Sequence, residues 1–584
     1  MKKLLVYLRD YRKESILGPL FKLLEVVFEL LVPLVIAAII DNGIAHADRG
    51  YIVRMCLVLV GFGILGLASS LTAQYFAAKA AAGFAKQVKH ALFAHIQGLS
   101  FSEIDTLGAS TMITRMTSDM NQVQSGVNLT LRLLLRSPFV VFGAMIMAFT
   151  VDAKAALVFA AAIPVLAAVV FGIMFWCIPL YKKVQEKLDG VLGATRENLT
   201  GVRVIRAFCK EEDEIRSFDQ SNEELTRIQK HVGRISALMN PLTYVLINLG
   251  ILCLIQVGAI RVDAGWITQG AVVALYNYMS QILVELIKLA NLIISITKSV
   301  ACGNRIQAIF EIRPSQTAPD RMPEPKGGDA AVEFRHADLR YKNTRDNALT
   351  DVNFTARRGQ TIGIIGGTGS GKSSLVDMIP RFYDAAAGNV LVDGIDVKDY
   401  PLRALREKIG VVPQKAALFQ GTIRENMKWG KLDATDGEIM NALEIAQAKD
   451  VVTGKGGLGA AIEQGGKNLS GGQKQRLTIA RALVKQPEIL ILDDSASALD
   501  FATDAALRRA LREMKSRPTV FIVSQRASSI QHADQIIVLD DGRVAGIGTS
   551  AELLKSCRVY REIFDSQFKK EAVPDGGPEK TAEG

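Results

Sequence analysis

The chain has 584 residues, a mean hydropathy of +0.20 and a formal net charge of +10. It is too long for one ordinary domain, and a positive mean hydropathy is unusual for a soluble protein of this size. Nearly all long uncharged runs fall before about residue 300, so the chain is predicted to be a membrane half followed by a soluble half.

Six stretches of the first half are apolar enough to cross a bilayer as helices, each of about 20 residues. They cover residues 16–40, 52–76, 133–150, 155–178, 242–260 and 270–294. The apolar pattern continues as amphipathic helix over 79–95 and 181–201. These continuations predict helices that project beyond the bilayer.

Lysine and arginine are concentrated at the N-terminus and in the long connections after the second and fourth spans. Because positively charged loops stay cytoplasmic, both termini and the soluble half are predicted to lie inside, at a bacterial plasma (inner) membrane. The positive charge is therefore interpreted as a signal of membrane topology. The expected anionic neighbour is the lipid bilayer, and no nucleic-acid partner is expected.

A proline- and glycine-rich break separates the two halves. It covers residues 313–329 and is predicted to link a membrane domain, 1–312, to a soluble domain, 330–568. The polar tail, 569–584, is predicted to be disordered.

The soluble half carries a glycine-rich segment that ends in lysine and serine. The segment and the residue after it are Gly366, Gly367, Thr368, Gly369, Ser370, Gly371, Lys372, Ser373 and Ser374. In this pattern backbone N–H groups surround the β-phosphate of a nucleoside triphosphate, the lysine reaches the β- and γ-phosphates, and the hydroxyl binds Mg²⁺. A buried strand over 361–365 and a helix over 374–379 are predicted to flank it.

A second glycine-rich element, 469–473, opens a helix predicted over 474–485. Its Ser470, Gly472 and Gln473 could grip a phosphate at the helix N-terminus. The buried strand that follows ends at Asp493, the carboxylate a phosphate loop needs to hold Mg²⁺ opposite its serine. One chain cannot easily place both loops on one nucleotide, so a loop that reached a facing domain's γ-phosphate would make ATP the link of a dimer.

These motifs resemble those of the ATP-binding cassette (ABC) transporters, specifically the half-transporter exporters whose membrane domain precedes the nucleotide-binding domain. The resemblance covers about residues 10–565. It implies an α-helical polytopic membrane domain of six helices fused to an α/β P-loop ATPase domain, with ATP and Mg²⁺ as cofactors. It also implies that Tyr341 stacks on adenine and that Gln414 lies in the loop joining the nucleotide and its metal to the membrane domain.

Three further segments carry the resemblance. Residues 497–500 match the family's dimer-contact loop. Residues 114–119 and 201–208 resemble the two intracellular loops that dock onto nucleotide-binding domains.

Two positions depart from the family pattern. The family's catalytic glutamate is replaced by Asp494, which is one methylene shorter, so its carboxylate is drawn back by about 1.5 Å. A displacement of about 1 Å can cost on the order of 10²-fold in rate, so Asp494 is predicted to activate water poorly. The family's switch histidine is replaced by Gln525, which cannot carry a positive charge or relay a proton.

Paired changes in one site resemble the degenerate half of a heterodimeric exporter. The chain is therefore predicted to need a second half-transporter with the orthodox glutamate and histidine, to which it supplies its intact 469–473 loop. A homodimeric pump with Asp494 as a weak base, and a nucleotide-gated channel or regulator, remain alternatives.

Polar residues recur on one face of the first span and of the last. They are Lys22, Glu25 and Glu29 in the first, and Asn277, Gln281, Glu285 and Lys288 in the last. Such groups avoid lipid and point to a cavity or a neighbouring helix. Glu285 and Lys288 are interpreted as a structural ion pair, with substrate binding as the alternative. The substrate stays open between small molecules, lipids and peptides.

Overall fold

The computed structural model of the protein describes residues 1–321, 328–342 and 344–568. These form two compact units. The first unit comprises Met1–Gln97 and Ala109–Ile312, and the second comprises Gly98–Gly108 and the described chain from Arg313 onward. The predicted tail and residues 322–327 of the predicted linker lie outside the described residues.

The described part of the first unit is helical. It opens with a 3₁₀ helix, Lys2–Tyr11, and π-helical turns occur at Ile39–Ile44 and Arg115–Asp119. The α-helices up to residue 312 are α1 Arg12–Ala38, α2 Arg49–Gln97, α3 Phe101–Leu107 (in the second unit), α4 Ala109–Thr114, α5 Met120–Leu133, α6 Arg136–Val151, α7 Ala153–Ala207, α8 Glu211–Ala237, α9 Met239–Asp263 and α10 Gln269–Glu311.

The prediction of six spans is confirmed within the described residues. Six helical runs are long and apolar enough to cross a membrane, and only 6% to 33% of the most apolar window of each is buried inside the protein. The rest of this apolar surface needs hydrocarbon rather than water around it. Both amphipathic continuations are helical, since α2 and α7 run unbroken through them.

Helices of the first unit approach closely through small side chains. A Cβ added to Gly18 of α1 would lie 3.4 Å from the backbone nitrogen of Ala77 on α2. Ala73, Ala77, Ala80 and Ala81 of α2 are fully buried. Small residues permit this contact because packing, rather than water exclusion, holds helices together in lipid.

The second unit is an α/β fold. Its strands are β1 Ala330–Leu339, β2 Leu349–Arg357, β3 Thr361–Gly366, β4 Ala387–Val392, β5 Ile395–Asp396, β6 Ile409–Val412, β7 Gly421–Thr422, β8 Ala461–Ile462, β9 Ile489–Asp493, β10 Thr519–Val523, β11 Gln535–Asp540 and β12 Arg543–Gly548. Its helices after α3 are α11 Lys372–Asp377, α12 Leu402–Lys408, α13 Ile423–Lys428, α14 Asp436–Ile445, α15 Lys449–Gly454, α16 Gly471–Val484, α17 Phe501–Arg512, α18 Ala527–Ile530, α19 Ser550–Ser556 and α20 Arg558–Phe568.

The central sheet has the order β12-β11-β3-β10-β9-β6, and only β12 is antiparallel. A second, antiparallel sheet has the order β2-β1-β4-β5. Strands β9 and β10 are buried along their whole length, as continuous apolar runs in a covered parallel sheet should be. Because Val523 pairs with Asp493 on one side and with Ile364 on the other, the carboxyl ends of β3, β9 and β10 meet at one edge.

Two predicted helices differ in their bounds. The helix after the phosphate loop is α11, which begins at Lys372, two residues earlier than predicted, and ends before Ile379. The helix after the second glycine-rich element is α16, which begins at Gly471 because the Ser470 side chain caps it. In both cases the glycine-rich loop itself supplies the first helical turn.

The docking of residues 114–119 onto a nucleotide-binding domain stays a prediction. The segment that groups with the second unit is Gly98–Gly108, which the predicted boundary had placed in the membrane domain. Residues 114–119 belong to the first unit, where Asp119 accepts hydrogen bonds from Arg115 and from Arg305 on α10. A buried aspartate held by two arginines on helices explains why this segment stays in the helical unit.

Candidate nucleotide-binding site

The phosphate loop joins β3 to α11 and is shaped for close approach of a ligand to the backbone. A Cβ on Gly366 would lie 2.2 Å from the carbonyl oxygen of Leu539, and Gly371 has a φ of +91°. Lys372 Nζ donates to the carbonyl oxygens of Gly366 (3.0 Å) and Gly367 (2.6 Å), which closes the loop around its own charge. The hydroxyl oxygen of Ser370 is buried and finds no hydrogen-bond partner among the described residues.

A cavity of about 340 Å³ opens at this edge of the sheet. It is lined by Tyr341, Ala348, Thr368, Gly369, Gly371, Lys372, Ser373, Ser374, Gln414, Asp493, Asp494, Val523 and Gln525. The structure thus brings most of the sequence-predicted site residues to one place. Ala348 and Val523 are additions that no chemical signal in the sequence could mark, because both are apolar.

One side of the cavity holds two adjacent carboxylates, those of Asp493 and Asp494. Ser373 Oγ donates to Asp493 Oδ1 at 3.0 Å, and Gln414 Nε2 donates to Asp494 Oδ2 at 3.4 Å. Burial raises the pKa of Asp493, and the charge of Asp494 adds to that shift while the Ser373 hydrogen bond opposes it. Burial also lowers the pKa of Lys372. A triphosphate beside two carboxylates requires a divalent cation, and the hydroxyl and carboxylate oxygens here are ligands that Mg²⁺ accepts.

Asp494 follows β9 in a left-handed backbone conformation, with φ +45°. Aspartate is among the residues that tolerate this conformation. Gln525 follows β10, and Gln567 of α20 brackets it by donating to the carbonyl oxygen of Gln525 and accepting from the N–H of Ala527, both at 2.8 Å. Sequence reasoning did not identify Gln567, because it lies some forty residues from Gln525 along the chain.

Tyr341 lies at the other end of the cavity. Its hydroxyl shares a 2.8 Å hydrogen bond with Ser374 Oγ, and its ring meets Tyr383 edge-on at 5.0 Å between centroids. Burial raises the pKa of Tyr341, so it stays a neutral aromatic surface against which a base could stack.

The Gly98–Gly108 segment is tied to this end of the site. The Tyr383 hydroxyl donates a hydrogen bond to Asp105 Oδ2 at 2.5 Å, and the Tyr383 ring contacts Tyr341. Tyr383 therefore connects Tyr341 to the segment. Phe101 packs on Phe382 with 4.5 Å between centroids. No sequence pattern predicts this connection, because its residues are far apart along the chain.

The second glycine-rich element lies elsewhere. Ser470, Gly472 and Gln473 are not among the residues that line the cavity. Ser470 Oγ instead accepts the N–H of Gln473 at 3.3 Å and Ser470 N donates to Gln473 Oε1 at 3.0 Å, which forms a capping box at the start of α16.

The described residues of this one chain include six helices able to span a membrane, a phosphate loop, a magnesium-type carboxylate and a parallel sheet. Together these features define a membrane-embedded P-loop ATPase. Residues 15–286 match the family described as ABC transporter transmembrane region, and residues 349–497 match the family described as ABC transporter. The chain therefore belongs to the ABC transporters.

Relatives support this membership over nearly the whole chain. An uncharacterised ABC transporter ATP-binding protein of Mycobacterium tuberculosis, Rv1273c, is 36% identical over 96% of this chain and 97% of its own length. The uncharacterised ABC transporter ATP-binding protein YfiB of Bacillus subtilis is 35% identical over 98% of this chain and 99% of its own. The putative multidrug export ATP-binding/permease protein YgaD of the same species is 30% identical over 97% and 99%.

A solved structure of a bacterial Atm1-family ABC exporter with ATP bound has a TM-score of 0.79 to this chain, at 21% identity and covering 97% of this chain and 99% of that one. The predicted fold class is confirmed: six membrane helices precede an ABC ATPase domain on one chain, with the fold of that exporter. ATP with Mg²⁺ is its cofactor pair, and ATP hydrolysis coupled to transport is its activity.

Proposed function

We propose that this chain is the degenerate-site subunit of a heterodimeric exporter in a bacterial inner membrane, with its second unit cytoplasmic. Its own site holds ATP and hydrolyses it poorly, and its 469–473 loop completes the hydrolytic site of a partner half-transporter. One observation carries the proposal: Asp494 and Gln525 line the same cavity as the phosphate loop and Asp493.

The residue roles follow from their positions. The 366–371 backbone and Lys372 bind phosphates, Ser373 and Asp493 hold Mg²⁺ with Gln414 nearby, and Tyr341 supports the base. Asp494 stands where a base would polarise the attacking water, but its carboxylate is short by one methylene and is already engaged by Gln414. Gln525 can accept or donate a hydrogen bond but cannot charge or relay a proton.

The position of the second glycine-rich element supports the partner. Ser470 is exposed at the N-terminus of α16 and outside the cavity that Lys372 lines. The helix N-terminus presents free N–H groups to an anion, which a facing domain's γ-phosphate would satisfy. Two ATP molecules between two chains would favour the closed pair, and hydrolysis at the partner's site would release it.

The connection between α7 and α8 supports a partner as well. Val204 and Phe208 expose 61% and 73% of their surfaces there, and Ile215 at the start of α8 exposes 59%. Large apolar side chains clustered at a turn indicate a contact surface, and we assign it to the partner's nucleotide-binding domain. The Gly98–Gly108 segment, in contrast, is already held by this chain's own Tyr383.

The direction of transport is taken as outward. The exporter-type fold and the printed description of YgaD as a putative multidrug exporter support this assignment. Alternating access of a cavity among the membrane helices would follow opening and closing of the ATPase domains.

The test is the steady-state ATPase rate of the purified complex, co-expressed with its candidate partner, for wild type and for Asp494→Asn. The amide keeps the size of the side chain and removes its basicity. We expect the rate to change by less than about twofold, because turnover occurs at the partner's site. The matched control is the partner's catalytic glutamate changed to glutamine, which should abolish most of the activity.

A collapse of the rate in Asp494→Asn would refute the asymmetric arrangement. Asp494 would then be a working base, and a symmetric homodimeric pump would be the better description. ATP-dependent uptake of substrate into proteoliposomes separates either pump from a nucleotide-gated channel, which would conduct without uphill accumulation.

A further inference from the structure

A charged cluster joins three helices of the first unit. Arg136 of α6 donates through Nη2 to Glu29 of α1 at 2.8 Å and through Nη1 to Glu285 of α10. Ser137 Oγ also donates to Glu285, at 3.0 Å, and Lys288 Nζ lies 2.9 Å from the same carboxylate. The predicted pairing of Glu285 with Lys288 is therefore present, and Arg136 is the member that sequence periodicity missed.

The cluster separates into a buried half and an open half. The side chains of Arg136 and Glu285 are 9% and 4% exposed, whereas those of Glu29 and Lys288 are 38% and 49% exposed. Arg136 and Glu285 are buried and make several hydrogen bonds, so they hold the helices together. Removing either side chain would leave the charge of the other buried without its partner. Glu29 and Lys288 each have one ion-pair partner within the cluster and are the two charged groups exposed enough to meet a ligand as well.

The open half faces a cavity of about 350 Å³ between α1 and α10. Its lining is Glu29, Val32, Pro33, Ile36, Asn277, Ser280, Gln281, Val284, Glu285 and Lys288. This volume lies at the lower end of the range for small-molecule sites. We use polar wall for its polar and charged lining residues, which apart from Glu29 come from α10, and apolar wall for Val32, Pro33 and Ile36 of α1 with Val284 of α10.

Hydrogen-bonding capacity is left over on the polar wall. Within the part of the chain that the structure describes, Gln281 Oε1 and Arg136 Nε are buried and have no hydrogen-bond partner. Among the described residues, Glu29 Oε1 accepts no hydrogen bond, because Arg136 uses only Oε2. An unpaired acceptor in a membrane domain is costly, and a ligand that donates hydrogen bonds would relieve that cost.

The charges select the ligand class. Glu29 and Lys288 offer one negative and one positive charge to the same cavity, while Arg136 and Glu285 balance one another. A purely cationic headgroup would meet Lys288 unfavourably, and a purely anionic one would meet Glu29 unfavourably. A group that carries both charges satisfies both, and an attached apolar chain would contact the Val32 and Val284 wall.

We propose that this cavity binds a zwitterionic amphiphile, with the cationic end at Glu29 and Gln281, the anionic end at Lys288, and the apolar chain along the α1 wall. The inference rests on the proposed transport function and names its substrate class. It assigns specificity to Glu29 and Lys288 and helix packing to Arg136 and Glu285.

The test is equilibrium binding to the purified full-length complex in an uncharged maltoside detergent. The probes are lysophosphatidylethanolamine, lysophosphatidylglycerol and an alkylamine of matched chain length, together with free phosphoethanolamine, which has the headgroup alone. We expect wild type to bind lysophosphatidylethanolamine at least about tenfold more tightly than each of the others, because only it satisfies both charges and the apolar wall.

Two variants assign the preference to residues. Glu29→Gln keeps an oxygen that can accept from Arg136 but removes the charge, and should reduce the preference over lysophosphatidylglycerol to about twofold. Lys288→Gln should likewise reduce the preference over the alkylamine. It tests the proposal independently, because the Lys288 side chain is half exposed and Arg136 and Ser137 still bind Glu285 in its absence. Glu186→Gln, which removes an exposed carboxylate of α7, is the control and should change neither ratio.

Equal affinity of wild type for the three amphiphiles, or unchanged preferences in both variants, would overturn the proposal. Binding of phosphoethanolamine as tight as that of the lysolipid would overturn the assignment to an amphiphile in favour of a soluble zwitterion. The ATPase experiment with Asp494→Asn needs no added amphiphile, so failure of one proposal is distinguishable from failure of the other.

Discussion

Asp377 is the last residue of α11, and changing it to asparagine should stabilise the second unit. Burial raises the pKa of this carboxyl from 3.8 to about 7, and the charges of Asp493 and Asp105 add to the shift. No hydrogen bond or ion pair to the Asp377 side chain offsets that burial among the described residues. Asparagine has nearly the same shape and no charge to desolvate.

The magnitude and the pH dependence follow from the two pKa values. An acid whose folded pKa is raised loses stability as pH rises from the unfolded value of 3.8 to about 7, after which the loss is constant. At about 1.4 kcal/mol per pKa unit, the ceiling above pH 7 is about 4 kcal/mol. Partial solvent access at Asp377 reduces this destabilisation. We therefore expect Asp377→Asn to raise the free energy of unfolding by about 2 kcal/mol at pH 8 and by about 1 kcal/mol at pH 5.5.

The assay is thermal unfolding of the full-length protein, followed by the fluorescence of Trp429. The chain has three tryptophans. With Trp176 and Trp266 of the first unit changed to phenylalanine, Trp429 reports the second unit alone. A gain of about 2 kcal/mol should raise the midpoint by about 4–8 °C at a fixed scan rate. EDTA is included so that no cation changes the field at Asp493.

Asp433→Asn is the matched control, because it removes an exposed aspartate of the same unit. Its midpoint should stay within about 1 °C of the parent at both pH values. An unchanged or lowered midpoint for Asp377→Asn at pH 8, or a gain that is larger at pH 5.5 than at pH 8, would refute the assignment of a buried, unpaired carboxyl to this position.

Two further predictions concern the glycine-rich element and the degenerate site. Ser470→Ala should lower the ATPase rate of the complex at least about tenfold, because the Ser470 hydroxyl and the N-terminus of α16 would bind the partner's γ-phosphate. The control is Thr435→Ala, which removes an equivalent cap from α14. Each variant should lose ~1 kcal/mol of stability, but Thr435→Ala should keep the ATPase rate. Equal rates for the two variants would contradict the shared site. Asp494→Glu combined with Gln525→His should raise turnover at this chain's own site by about 10–100-fold, measured with the partner's catalytic glutamate changed to glutamine. No gain would mean that the geometry around Gln414 is also unfit for hydrolysis.

The phosphate site was predictable because its signals are local. A buried strand, a loop with forced glycine positions and a helix N-terminus must follow one another in sequence, and residues 361–377 do so. Asp493 was predictable for the same reason, as the residue that ends an apolar strand. The bounds of α11 and α16 were harder to predict, because residues of each glycine-rich loop form part of the first helical turn.

The Gly98–Gly108 segment groups with the second unit, although the predicted domain boundary lies at residue 312. Nothing in its sequence shows that Phe101 packs on Phe382 or that Asp105 accepts a hydrogen bond from Tyr383. Arg136 was missed for a similar reason: it begins α6 and neutralises carboxylates on α1 and α10. A helical periodicity predicts which face of a helix is polar, but not which other helix supplies the opposite charge.

The sequence by itself determined the membrane half, the order of the two halves, the nucleotide loop and the two residues, Asp494 and Gln525, on which the proposed asymmetry depends. Each depends on hydropathy or on residues that are neighbours along the chain. Only the tertiary structure decided that Asp493, Asp494 and Gln525 share one cavity with Lys372, and that Ser470 does not. It also decided which charges of the first unit are spent on packing and which face a cavity. These depend on strand order and helix packing, which bring together residues separated by more than a hundred positions.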